Sequence, residues 1–318
     1  MRLDNLPKSD NVEDKRGQGG GFNFPGGGGG RRMGIPMGGR GGGFSLSTIV
    51  MLAIAYFALK FIFGIDLISM FTGGGSPQFQ IPSGNTDVQD PGNLGTGTGT
   101  QGATSDAGKN LVERVLGSNE QIWAGIFKTL GKPFEKPKLE LFENVTQSGC
   151  GMAQATMGPF YCPRDSKIYI DLAFYQDMKT KLGAPGDFAQ AYVIAHEFGH
   201  HVQNLLGIAD AVTKARMQAS EEEGNGLSVK MELQADCFAG IWTKEADAVS
   251  HFLEAGDIEE GLNAATQIGD DRLQKKSQGY VVPESFTHGS SAQRVGWFKR
   301  GLQAQDINAC DTFGAAQL

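Results

Sequence analysis

The strongest constraint on the fold is a run of 22 residues, 44–65, with a single charged side chain, Lys60. About 20 apolar residues in a helix span the hydrocarbon layer of a membrane. Lys60 lies near one end of the run, where a long side chain reaches the interface. Glycine-rich sequence flanks the run, since residues 1–43 hold 15 of the 47 glycines and residues 73–108 hold 10. We therefore expect a transmembrane helix rather than a buried core helix.

The charges beside this run predict its orientation. Arg31, Arg32 and Arg40 precede it, and after Lys60 the next lysine or arginine is Lys109. Positively charged flanks stay in the cytoplasm, and nothing resembles a cleavage site for a signal peptide. We expect a single-pass protein of the bacterial inner (plasma) membrane, with a cytoplasmic N-terminus and a periplasmic or otherwise extracytoplasmic C-terminal domain.

These features divide the chain into four segments. The net charge of −7 argues against nucleic acid as a partner, and the few arginines and aromatics of the first segment favour a solvated tail over an RNA- or lipid-binding arm. The segments are a Gly/Arg-rich disordered cytoplasmic tail at 1–43, a transmembrane signal-anchor helix at 44–65, a Gly/Ser/Thr-rich flexible linker at 66–108 and a globular domain at 109–318.

The four cysteines all lie in the segment predicted to be exported. An even number in an oxidising compartment predicts two disulfides, for which three connectivities exist. Nearness in sequence favours Cys150–Cys162, which leaves Cys237–Cys310. The chain has no CxxC motif, so a zinc–thiolate cluster is not expected.

The globular domain is predicted to be α+β, mainly helical with a small sheet, because no regular alternation of strands and helices is present. Apolar periodicity and capping residues indicate the elements. Helices are expected at 109–116, 118–130, 187–206, 208–220, 227–249, 257–276 and 290–303, and strands at 138–144 and 167–172.

The motif that carries chemistry is HEFGH, in the helix expected at 187–206. Its two histidines, His196 and His200, are four residues apart, so both imidazoles face the same side of the helix and reach one ion. Imidazole nitrogen suits Zn²⁺, and a catalytic zinc site keeps one position open for water. Glu197 lies beside the metal position and is the candidate general base.

A third ligand has to come from another helix. The continuation HExxHxxGxxH is absent, since Gln203 and Leu206 occupy the Gly and His positions. In MELQADCFAG, Glu232 and Asp236 are four apart on one face of an otherwise apolar helix. We expect Glu232 to bind one Zn²⁺ ion with the two histidines, and Asp236 to accept the free ring N–H of His196.

HExxH followed by ExxxD on a second helix resembles the gluzincin pattern of zinc peptidases. The segments GPFYCPRDSKIYID, GDFAQAYVIAHEFGHHVQ, ELQADCFAG and FTHGSSAQRVGWFKRG look like the bacterial "putative neutral zinc metallopeptidase" family. The resemblance covers the anchor and nearly all of 109–318. It implies a membrane-anchored, gluzincin-like zinc peptidase domain with ligands at His196, His200 and Glu232 and with Glu197 as catalytic base.

Two further residues are candidates by this resemblance. Related gluzincins carry a late His followed by Arg, which points to His288 as the donor that stabilises the oxyanion. Arg294 is either a second donor or a brace for Asp236 or Glu232. His201 points away from the metal side and is expected to lie behind the ligands or at the surface, and 166–172 is the candidate edge strand for substrate.

The sequence therefore predicts a membrane-anchored zinc endopeptidase with a peptide or protein substrate and an undetermined oligomeric state. The alternative is a non-catalytic, zinc-containing scaffold that recruits a partner at the membrane. The glutamate of HExxH argues against the scaffold, because a structural zinc site needs no general base and usually has four protein ligands.

Overall fold

The computed structural model describes residues 1–17 and 99–318, apart from residue 317. Helices packed on a small mixed sheet confirm the predicted α+β class. The strands are β1 (Val12–Asp14), β2 (Lys138–Phe142), β3 (Val145–Ser148), β4 (Gly151–Gln154), β5 (Phe160–Cys162) and β6 (Lys167–Asp171). The α-helices are α1 (Gly99–Thr129), α2 (Ala173–Asp177), α3 (Asp187–Leu205), α4 (Ile208–Arg216), α5 (Glu221–Ser250), α6 (Asp257–Gln267), α7 (Asp270–Gln278) and α8 (Ser291–Gln303).

The main sheet has the strand order β1-β2-β6-β5. The pairs β1–β2 and β2–β6 are parallel, and β5 is antiparallel to β6. Leu139 pairs with Ile168 and Leu141 with Ile170, and all four side chains are fully buried. Strands β3 and β4 form a separate antiparallel hairpin. The centre of the sheet is therefore β2 and β6, and β5 is its outer strand on the side away from β1.

Residues 1–17 are part of this fold, so the prediction of a disordered tail at 1–43 is wrong for them. Strand β1 adds to the edge of β2, and Leu6 is buried in the main core. Charged side chains in and just after β1 form ion pairs with the sheet. Lys15 Nζ lies 2.5 Å from Glu140 Oε2, and Glu13 Oε2 lies 2.7 Å from Lys167 Nζ. A strand as short as Val12–Asp14 shows no apolar alternation, so the sequence did not indicate it. Backbone pairing with β2 and these ion pairs hold it on the sheet.

This pairing also bears on the predicted membrane topology. A single crossing at 44–65 places residues 1–43 and 109–318 on opposite sides of a membrane. Strands β1 and β2 pair directly, which two segments separated by a bilayer cannot do. Residues 1–17 and 99–318 therefore form one unit with no room for a bilayer between them. The predicted crossing at 44–65 and the side on which the domain lies stay predictions.

The predicted transmembrane helix at 44–65 lies outside the described residues, as do 18–43 of the tail and 66–98 of the linker. Among the helices that are described, none has both the length and the apolar character needed to cross a membrane. Residues 99–108, also assigned to the linker, are instead helical.

Helix α1 is continuous where a break near residue 117 was predicted. Gly117, which lies between the two predicted helices, meets the N-terminal segment. A Cβ built on it would lie 2.5 Å from the carbonyl oxygen of Pro7. This glycine therefore permits close packing of residues 7–9 against α1 and does not end the helix, a role that only the tertiary contact reveals.

The helical core is centred on α5, which packs most extensively against α8 and also against α3. Small residues permit the close crossing of α5 and α8. A Cβ on Gly240 would lie 2.3 Å from Phe298 O, and one on Gly301 would lie 2.0 Å from Cys237 O. Large aromatic side chains fill the surrounding core, among them Trp123, Trp242, Phe188, Phe198, Phe238 and Phe298.

The single helix predicted at 257–276 is two helices, because the chain turns at Ile268 and Gly269 between α6 and α7. A Cβ on Gly269 would lie 2.4 Å from Ser291 N, so this turn packs closely against the start of α8. The turn places Asp270 at the first position of α7, beside the loop that precedes α8.

Both favoured disulfides are formed, Cys150–Cys162 and Cys237–Cys310. The first ties the β3–β4 turn to the end of β5, and the second ties α5 to the C-terminal segment. Both brace elements that adjoin the site described next.

Candidate active site

The HEFGH motif lies in α3, one of the most buried helices of the domain. Glu232 and Asp236 lie on α5, whose start is fixed by a capping box between Ser220 and Glu223. Helices α3 and α5 approach closely at Gly199, the glycine of HEFGH. A Cβ there would lie 3.0 Å from both the Cα and the carbonyl oxygen of Ala235. The glycine thus allows the two ligand-bearing helices to meet.

The structure brings His196, His200 and Glu232 together, with one ligand atom from each within 4.8 Å of the others. His196 Nε2 lies 3.1 Å from Glu232 Oε2, and His200 Nε2 lies 3.5 Å from Glu232 Oε1. Two imidazole nitrogens and one carboxylate are the donor set of a catalytic zinc site with a fourth position left open. These residues therefore fit a Zn²⁺ ion.

The orientation of His196 is set by Asp236, as the sequence predicted. His196 Nδ1 lies 2.8 Å from Asp236 Oδ1, so the N–H points at the carboxylate and Nε2 faces the metal position. Arg294 donates Nε to Asp236 Oδ2 and Nη2 to Oδ1, both at 2.9 Å. Tyr192 donates its hydroxyl to the same Oδ1. Arg294 is thus a buried brace for Asp236, one of the two roles considered for it.

The orientation of His200 depends on Gln203, which the sequence analysis did not assign to the site. His200 Nδ1 lies 2.9 Å from Gln203 Oε1. The amide of Gln203 is itself fixed, since Nε2 donates to Met231 O at 2.7 Å. The spacing i, i+3 on one helix was a signal that could have indicated this pair.

The charges of the site favour positive charge at the metal position. Burial alone would lower the pKa of His196, but Asp236 and Glu232 raise it to about 10. Burial opposes ionisation of Glu232 as well, yet the imidazoles of His200 and His196 hold the pKa of this carboxyl well below its usual range. The two carboxylates therefore favour positive charge at this position, which a divalent ion would also supply.

His288 lies on the same cavity, half exposed, in the loop before α8. Its Nδ1 is 3.2 Å from Asp270 Oδ1, and this hydrogen bond raises the pKa of His288 above its ordinary value. The other oxygen of Asp270 accepts the backbone N–H groups of Thr287, His288 and Gly289. Asp270 therefore fixes both the loop and the ring. Sequence reasoning missed it, because 18 residues separate it from His288.

One cavity of about 570 Å³ is lined by the three candidate metal ligands and His288, and it is large enough for several side chains of a peptide. Glu197 faces it next to the metal ligands, and it is 8% exposed. The rest of the wall is largely apolar and comes from several elements. It includes Met157, Pro159, Phe174, Val193, Val212, Met231, Ile268 and Leu273.

The strand beside the cavity is β5, not the predicted 166–172. That segment contains β6, which lies between β2 and β5 and so has no free edge. Phe160 and Tyr161 of β5 line the cavity. The sequence did not indicate β5 as a strand. The segment GPFYCP contains two prolines, and a strand of three residues is too short to show apolar alternation.

Comparison with known proteins agrees with this geometry. The model of the family described as "Putative neutral zinc metallopeptidase" matches residues 1–313. The chain belongs to this family. The match includes residues 1–17, which pack on the domain.

Two relatives illustrate the range of the family. The "Uncharacterized protein YpfJ" of Escherichia coli (strain K12) is 46% identical over 314 residues, which cover 99% of each chain. The "Uncharacterized protein Rv2575" of Mycobacterium tuberculosis (strain ATCC 25618 / H37Rv) is 42% identical over 224 residues, 67% of this chain and 74% of that protein. No solved structure matches the chain.

Proposed function

We propose that this protein hydrolyses peptide bonds with one zinc ion held by His196, His200 and Glu232 and with Glu197 as the general base. The observation that carries this proposal is the convergence of the three ligands within 4.8 Å, beside Glu197, on a cavity with an apolar wall. Zinc bound there would polarise the scissile carbonyl and the attacking water.

Glu197 accepts the proton of the water that attacks the carbonyl carbon. It follows His196 directly, so its carboxylate is adjacent to the ligand set without belonging to it. The same carboxylate then returns the proton to the leaving amine, which completes the balance of the reaction.

His288 donates to the developing oxyanion from Nε2. Because Nδ1 is held by Asp270, a neutral ring carries its proton on Nδ1 and leaves Nε2 bare. Donation from Nε2 therefore requires the imidazolium form, and Asp270 favours that form by raising the pKa of His288. Arg294 is not assigned this role, because its Nε and Nη2 donate to Asp236 and its Nη1 donates to the carbonyl oxygen of Ile268 at 3.4 Å.

The substrate is an extended peptide that pairs with the outer edge of β5. An edge strand offers unpaired backbone N–H and C=O groups, and an added strand places its side chains alternately into and out of the cavity. The apolar wall favours bulky apolar side chains near the scissile bond.

The test compares the wild-type protein with Glu197→Gln, both loaded with zinc, on a peptide library read by mass spectrometry. We expect zinc content and melting temperature to stay the same while cleavage falls by about 10²- to 10⁴-fold, the usual contribution of a general base. Glu221→Gln, an exposed glutamate at the start of α5, is the matched control and should leave cleavage unchanged. Equal cleavage by wild type and Glu197→Gln would overturn the mechanism.

The rival function is a zinc-containing scaffold. It requires stoichiometric zinc, four protein ligands and no cleavage by the wild-type protein. The described residues offer three ligands at this position and a cavity beside them, which favours hydrolysis.

Attachment to a bacterial inner membrane through 44–65 stays a prediction. Because β1 and β2 pair, we propose that residues 1–17 and 99–318 lie on the same side of the membrane. The two disulfides favour the extracytoplasmic side for both.

A further inference from the structure

The histidine after HEFGH, His201, is fully buried and takes no part in the ligand set. Its Nε2 lies 2.7 Å from the carbonyl oxygen of Glu135. A carbonyl oxygen only accepts, so Nε2 carries the proton and Nδ1 is a bare acceptor. The tautomer of this ring is therefore set by the main chain before α3.

The unprotonated Nδ1 of His201 accepts a hydrogen bond from Tyr161. The Tyr161 hydroxyl lies 3.0 Å from His201 Nδ1 and so donates its one proton to that atom. Asn204 Nδ2 donates to the same hydroxyl at 3.0 Å. Both partners belong to α3 and lie one and four residues after His200. The hydroxyl is thus hydrogen-bonded at two points to the helix that carries the two metal-binding histidines.

Tyr161 is the central residue of β5, the edge strand beside the cavity. The neighbouring residues hold the strand from its other face. The Phe160 ring stacks on Tyr169 of β6 with centroids 4.8 Å apart, and Cys162 is bonded to Cys150. The Tyr161 hydroxyl then links this strand to α3.

We propose that Tyr161 is a positioning residue: by bonding to His201 and Asn204 it fixes the edge of β5 relative to α3, and so fixes the register of a bound peptide relative to Glu197. The inference rests on the proposed function, since it specifies how that site receives a peptide backbone. Tyr161 is not the oxyanion donor, because its proton is already committed to His201.

Removing the Tyr161 hydroxyl should weaken peptide binding more than it slows the chemical step. Loosening β5 acts equally on the bound ground state and the transition state, which raises KM and leaves kcat nearly unchanged. For Tyr161→Phe we expect KM to rise about 3- to 10-fold, the effect of about one hydrogen bond, on peptides long enough to pair with β5. A truncated peptide that retains only the residues at the scissile bond should show no change.

The matched control is Tyr169→Phe. It removes a hydroxyl from the adjacent strand, where the Tyr169 hydroxyl donates to Asp165 at 2.7 Å and not to a residue of α3. A peptide identified by wild-type cleavage, and truncations of it, are measured with the zinc-loaded wild type, Tyr161→Phe and Tyr169→Phe. The inference predicts a length-dependent rise in KM for Tyr161→Phe alone. Equal losses on long and short peptides, or the same rise in Tyr169→Phe, would overturn it.

Hydrogen exchange provides a readout independent of activity. Tyr161→Phe should speed exchange at the amides of residues 160–162 and leave those of α3 unchanged, whereas Tyr169→Phe should not reproduce this selective effect. In His201→Gln the amide can still donate to the Glu135 carbonyl, and we expect exchange at 160–162 to be as fast as in Tyr161→Phe. The double variant should exchange no faster at these amides than either single variant. Unchanged exchange at 160–162 in Tyr161→Phe would refute the link. If the wild type cleaves no peptide, the proposed function fails while this measurement still decides the role of Tyr161.

Discussion

At the scale of single residues, the site is a set of imidazole rings whose Nδ1 atoms are each held by an acceptor. Asp236 holds His196, Gln203 holds His200 and Asp270 holds His288. Each partner fixes a tautomer or a protonation state and leaves Nε2 for the cavity side. The chemistry expected of each histidine therefore follows from its partner.

Asp270→Asn should move the alkaline limit of activity to lower pH. The donating form of His288 is the imidazolium, which is present below its pKa and is lost as the pH rises through that value. Asp270 raises this pKa, and removing its charge lowers it. A pH profile of kcat/KM measures the shift. Asp271→Asn, which alters the neighbouring carboxylate that bonds Ser291, is the control and should keep the wild-type profile. An unmoved alkaline limb in Asp270→Asn would contradict the role given to His288.

At the scale of elements, the contact between α3 and α5 decides whether the ligands meet. Two histidines on one helix cannot complete the site, and Glu232 reaches them because Gly199 allows the backbones to approach. Close helix contacts of this kind tolerate little added volume, since a packed interior relaxes only partly.

Gly199→Ala should therefore weaken both the fold and zinc binding. Its Cβ would lie 3.0 Å from Ala235 Cα, so the two helices must separate, at a cost of about 1–3 kcal/mol in the free energy of unfolding. Denaturant unfolding and zinc titration measure the two effects. Gly125→Ala in α1, where an added Cβ meets nothing within 4 Å, should be neutral or slightly stabilising. Equal stability and zinc affinity in Gly199→Ala and the wild type would show that this contact does not set the ligand geometry.

At the scale of the whole molecule, the first 17 residues and the domain form one body although more than 80 residues separate them in sequence. Gly117 receives the segment, and ion pairs join β1 to β2 and β6.

Cysteine labelling should place both described stretches on one side of the membrane in cells. Asp10→Cys and Met217→Cys introduce thiols at exposed positions of the N-terminal segment and of the domain, respectively. A thiol reagent that does not cross membranes should label either both variants or neither, because β1 and β2 pair in one chain. Labelling of only one, with both labelled after lysis, would show that the segment does not pair with its own domain.

Much of the candidate site could be predicted from the sequence, because its signals are local. His196, Glu197 and His200 share one helical turn, and Glu232 and Asp236 share another, so spacing alone places each set on one face. Nearness in sequence also favoured the Cys150–Cys162 disulfide, which left Cys237–Cys310 as the second pair. In contrast, Gln203, Asp270 and the edge strand β5 act through neighbours in space, and short or irregular segments carry no periodic pattern.

The sequence by itself determined the donor set, the candidate for the general base, the α+β class and the family. These depend on residue type and helical spacing, which are properties of short segments. Only the tertiary structure decided that residues 1–17 complete the sheet, that Gly117 and Gly199 are contact points, and that Asp270 holds His288. The physical reason is that each of these depends on a close approach or an ion pair between distant segments, and such contacts exist only when the core has brought the segments together.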